Sequence, residues 1–139
     1  MIKPALLRAA LVAAIPSLAT DPDKLTVFID QGSIVASGTP SASFEYRYVV
    51  NALALDFSGD SDLVMLALIE WARSHQPDLL SGTGDDDTGI CFEVDILNNA
   101  TVDLSITMQL SESVVVSTDA NGQHTLTHVN DATDAWTAP

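Results

Sequence analysis

The chain has 139 residues, 47% of them hydrophobic, and one cysteine, Cys91. This suits a single ordinary core and excludes an intrachain disulfide framework or a cysteine-built metal site. Five basic residues stand against 19 acidic ones, a formal charge of −14, and such a surface repels nucleic acid and anionic lipid. All five cations (Lys3, Arg8, Lys24, Arg47 and Arg73) lie in the first 73 positions, and the rest of the chain carries eleven acidic residues and no Lys or Arg.

Pro4 suits the first turn of a helix, where its missing N–H would be unpaired anyway. Leu7, Leu11, Ala14 and Leu18 then form one apolar stripe at helical spacing. Pro16 predicts a kink near Val12 or an end before residue 16, with a last turn up to Ala19. Lys3 and Arg8 ahead of the apolar run 9–15, with Ser17-Leu18-Ala19 behind it, share features with a secretory signal. The run is short for one, and no stretch approaches the ~20 apolar residues of a membrane span.

Strand alternation begins with Leu25, Val27 and Ile29, breaks at Gly32 and can resume over 33–36. After a Gly/Pro/Ser loop, Phe44, Tyr46, Tyr48, Val50, Ala52 and Ala54 share one face of a long strand. That length suggests a hairpin arm or a sheet extended across a subunit boundary. A turn over 56–62 leads to a second helix, capped by Asp60 or Ser61. Over 63–72 that helix is apolar nearly all round, which predicts burial on two sides, one of them against another subunit. Gln76-Pro77 ends it, and 81–89 reads as an acidic loop containing Asp85, Asp86 and Asp87. Strands follow at 90–96, 101–110 and through Val114, Val115 and Val116, and Asn121-Gly122 signals a hairpin returning over 123–129. The expected fold is α+β, with one mainly antiparallel sheet and two helices in the order α-β-β-α-β-β-β(-β). Residues 1–129 make the domain and 130–139 a polar tail with Trp136.

The residues with chemical potential are few. His124 and His128 fall about 13 Å apart on a strand, too far to share a metal. Asp56, Asp60 and Asp62 lack the alternation and closing Glu of a calcium loop. No phosphate cradle, nucleophile elbow or triad spacing occurs, so no enzyme, cofactor or metal is expected. Arg47 sits mid-strand between Tyr46 and Tyr48, placed for a cross-strand carboxylate or for an intersubunit pair. Phe44, Tyr46, Arg47, Tyr48 and Trp71 are the candidate subunit-interface residues, although Trp71 reads first as packing. Asp85, Asp86 and Asp87 are a solvated loop, an acidic lumen lining or a contact for a basic partner.

Several stretches resemble, in the same order, the tail completion protein R family of P2-like contractile-tailed phages. They include Pro22-Asp23-Lys24-Leu25, Val27-Phe28-Ile29-Asp30-Gln31-Gly32, Ser43-Phe44-Glu45-Tyr46-Arg47-Tyr48, Asp56-Phe57-Ser58-Gly59-Asp60-Ser61-Asp62 and Gln76-Pro77-Asp78-Leu79-Leu80. Pro16, breaking a helix expected to run on, and the unmatched tail after Val129 depart from the family pattern. The resemblance implies a non-catalytic virion protein acting late in tail assembly. It also implies a tail-terminator-like homo-oligomer, usually a hexameric ring, that caps the tail tube and sheath and presents a face to head-side neck proteins. The genome would pass through without specific binding, and no membrane is involved. The competing reading is a small acidic binding module with no role in a virion, periplasmic if the first 19 residues act as a signal.

Overall fold

Two prolines set the start of the chain. In the computed structural model, which describes residues 1–36, 38, 41–80 and 89–129, helix α1 spans Lys3–Ala14 with Pro4 in its first turn. Ile15 is extended, its N–H still closing the last turn onto the Leu11 carbonyl at 3.1 Å. Pro16 then opens a separate short helix, α2, Pro16–Thr20. The expected break is present, and it raises the count of α-helices among the described residues to three. It also shifts the helical phase: Leu7, Leu11 and Leu18 are buried, but Ile15 takes the core place expected of Ala14, which is exposed.

A single turn, Pro22–Lys24, leads into β1, Leu25–Ala36, which pairs antiparallel with β2, Phe44–Phe57. β1 continues through Gly32 by means of a bulge between Ile29 and Gln31. The extra residue, Asp30, accepts from Asn51 Nδ2 at 2.9 Å. One added residue reverses the side-chain parity, so Leu25, Val27 and Ile29, and then Ile34 and Ala36, share the face on which the helices pack.

Helix α3, Ser61–His75, is capped by Asp60, whose carboxylate accepts from the Asp62 N–H at 2.8 Å. Its inner arc of Val64, Leu68, Trp71 and Ala72 is buried. The remaining strands are β3, Cys91–Ile96, β4, Val102–Thr118, and β5, His124–His128. The two strands expected at 101–110 and 114–116 are one continuous strand, because the alternation carries on through Glu112 with its side chain inward. The sheet is five-stranded and antiparallel, in the order β1-β2-β4-β3, with β5 also on β4. β3 and β5 share the edge of β4 away from β2. Ile106 pairs with both Ala52 and Phe92, and Val114 with both Phe44 and His128. Among the described residues no helix is long and apolar enough to cross a membrane.

Length decides how much of the sheet is covered. β2 and β4, at 14 and 17 residues, run about 46 and 56 Å. α1 and α3, at 12 and 15 residues, reach only about 18 and 22 Å. The core lies under the helices, where Val50, Ala52 and Ala54 of β2 meet Leu104, Ile106 and Met108 of β4. Leu68→Ala, at a fully buried position, is expected to cost about 2–5 kcal/mol in a denaturant titration. Leu66→Ala, on the exposed arc of the same helix, should stay within about 0.5 kcal/mol, and equal losses would contradict this division.

Candidate assembly surface

At the point where the helices stop, buried polar side chains close the sheet. Ser111 lies on the stretch of β4 between β3 and β5. Its N–H donates to Gln76 Oε1 at 3.1 Å, and its carbonyl accepts from Lys3 Nζ at 2.6 Å. Lys3 Nζ also donates to Gln76 Oε1 at 2.6 Å. The first residue of α1 and the residue after α3 thus stand in for a missing strand. A buried backbone group left unpaired costs about 1–3 kcal/mol, so this substitution stabilises the break between β3 and β5.

The next residue, Glu112, is 3% exposed. Its carboxylate accepts from the Ile2 N–H at 2.8 Å and from the Tyr48 hydroxyl at 2.5 Å. His128 Nδ1, at the end of β5, lies 3.8 Å away. The start of α1 is where unpaired N–H groups and the helix dipole favour a negative charge. Burial, then the bond to Glu112, push the Tyr48 phenol far above its usual range, so it remains a donor. His75 lies against Trp71, ring centres 4.9 Å apart. It is held below the ordinary histidine range by burial first and by the Lys3 ammonium second.

Beyond this seam Val114 is still buried, but much of the sheet is open on both faces. On the helix side Ile34 is 64% and Leu126 57% exposed, and on the other side Val35 and Val115 are exposed. Phe44 and Tyr46, on the helix side with Ile34, are half-buried and meet edge to face, with centroids 5.2 Å apart. A cleft of about 310 Å³ opens between Met1, Ile29, Ile34 and Tyr46. Arg47 is exposed on the opposite face, and its carboxylate partner is not across the strand. Its Nε donates to Glu45 Oε1 of the same strand at 2.7 Å, a surface pair that contributes about 0–1 kcal/mol.

The candidate interface residues therefore divide. Phe44 and Tyr46 come together on the helix side of the open end and Arg47 lies on its opposite face, whereas Tyr48 and Trp71 are buried within the protomer. Asp85, Asp86 and Asp87, and the tail 130–139, lie outside the described residues. Nothing in the sequence marks Lys3 or Gln76 as buried, since polar types carry no sign of burial. Only Glu112 left a trace, at an inward position of an otherwise apolar alternation.

The sequence profile of the P2 phage tail completion protein R (GpR) family matches residues 1–132. The chain belongs to that family. Tail completion protein R of Escherichia phage P2 is 41% identical over 117 residues, 84% of this chain and 76% of that protein. No solved structure matches. The family-like stretch 43–48 falls on the strand that crosses the seam, and 56–62 ends that strand and caps α3.

Two measurements check the seam. Tyr48→Phe keeps the ring and removes one hydrogen bond to a buried carboxylate, so a loss of about 1–3 kcal/mol is expected; no loss would remove Glu112 as the closing group. His75 resists protonation in the folded chain. Its contribution is full above the unfolded-state value of about 6.5 and declines as pH falls through it. Between pH 7.5 and 5.5 the native chain should therefore lose more stability than His75→Gln, and parallel losses would contradict the stated environment.

Proposed function

We propose that this chain is a structural virion protein of tail completion, a terminator whose copies close a hexameric ring on the end of the tail tube and sheath. The reading rests on family membership and on one observation: a sheet about twice as long as the helices packed on it. The apolar side chains left outside the helix layer suit burial by other copies and by the tail. Two different patches meeting head to tail give a ring when the rotation closes. In this reading Phe44, Tyr46 and Arg47 on the open sheet end make subunit contacts, and Tyr48 and Trp71 support that surface from inside. The face of the ring away from the tube meets the head-side neck proteins. The role needs no catalysis and no cofactor.

The charge distribution has a place in the same picture. Some of the carboxylates of the second half of the chain, Asp85, Asp86 and Asp87 among them, line the lumen, where their repulsion of phosphate lets the genome pass without sticking. The test is to add the purified chain to tails lacking it and to image and sediment the product. Rings seated at one end of each tail are expected. A chain that stays monomeric with tails present favours an acidic binding module instead. Changing Asp85, Asp86 and Asp87 together to Lys should slow or block DNA ejection, and unchanged ejection would remove this loop from the lumen.

A further inference from the structure

The outer arc of α3 is an apolar stripe that ends in a cation. Leu63, Leu66 and Ile69 are between 37% and 51% exposed, and Arg73 follows on the same arc one turn later. Of the five cations only Arg47 and Arg73 are exposed. Arg47 is paired with Glu45, whereas Arg73 makes no ion pair among the described residues. In a chain of charge −14, an exposed cation without a carboxylate beside an apolar stripe marks a surface meant for an acidic, apolar counterpart.

The chain carries that counterpart itself. In β3, Phe92, Val94 and Ile96 pair with Ile106, Leu104 and Val102, so they lie on the core side of the sheet. Yet Phe92 is 60% and Ile96 79% exposed, because β3 is an edge strand beyond the reach of the helices. Glu93 and Asp95 alternate with them along the same open edge. The two surfaces match in length: the stripe from Leu63 to Arg73 runs about 15 Å and the face from Phe92 to Ile96 about 13 Å. Both are exposed, so neither covers the other within one protomer.

We propose that the α3 stripe of one copy lies on the β3 face of a second copy, with Arg73 reaching Glu93 and Asp95 around the strand edge. A long arginine stem allows that reach while its methylenes cover apolar surface. Six half-exposed apolar side chains contribute about 600 Å² in all, on the order of 100 Å² each. Stable interfaces bury roughly 1,200–2,000 Å². The contact is thus one part of the subunit junction, with the open sheet end supplying the rest. The proposal rests on the ring reading above and adds to it the two surfaces of a head-to-tail junction.

The test uses the full chain in sedimentation velocity, with Leu66→Glu and Ile96→Glu as single changes at exposed positions and circular dichroism to verify folding. Each variant should lose the rings of the native chain. An equal mixture should form pairs and nothing larger, since each variant keeps one intact half. Arg73→Glu should weaken self-association on the order of tenfold or more, and adding Glu93→Lys with Asp95→Lys should restore it. Rings undiminished in both glutamate variants, or a mixture that stays monomeric, would overturn this contact while leaving the terminator reading in place. A native chain that neither self-associates nor caps tails would overturn both.

Discussion

The constraint on which this structure turns is one of length. An α-helix rises less than half as far per residue as a strand, and the two long helices have fewer residues than β4. They therefore cannot cover a sheet whose central strands run about 50 Å. The apolar alternation of β2 and β4 does not stop where the helices do. It continues through the half-buried Phe44, Tyr46 and Val116 into a region with no helix on it, where Val114 alone of this row is buried. For a chain that folded only for itself such a sheet would be an aggregation hazard. For a subunit of an assembly it is contact surface already in place.

The seam between the covered and uncovered halves is where the fold is most specifically held. Lys3, Gln76 and Glu112 are buried polar groups, costly unless their hydrogen bonds are made. Each finds partners on more than one element: Lys3 and Gln76 on the edge of β4, and Glu112 on the start of α1 and on Tyr48. The ends of α1 and α3 are thereby registered on one residue of β4. A shift of either helix along the sheet would break several of these bonds at once. Apolar packing alone tolerates small slides more readily. The position at which the covered half gives way to the open half is fixed by chemistry and not by bulk.

Much of this was legible in the residues. Pro4 and Pro16 marked the limits of the first helix, Asp60 the start of the third, and the alternation from Phe44 to Ala54 the long strand. The all-round apolar character of 63–72 was a sign of uncovered surface, and the exposed arc of α3 carries it. Other features were hidden for physical reasons. The bulge residue Asp30 finds its partner in Asn51, which is distant in sequence and reveals nothing about pairing. The polar run Ser111-Glu112-Ser113 separates two apolar alternations in the sequence, yet Glu112 occupies an inward place of one continuous strand that a helix terminus makes tolerable. The exposure of Phe92, Val94 and Ile96 is invisible locally, since the same alternation would be buried on a central strand. What decides it is the number of helices available to cover the sheet.

Reconstruction of the end of a completed tail at side-chain resolution tests the central claim most directly. The account predicts a closed ring of copies of this chain, with Ile34, Phe44, Tyr46 and Leu126 covered by protein from outside the protomer. A ring in which that sheet end stays in solvent, or a finished tail without this chain, would contradict it.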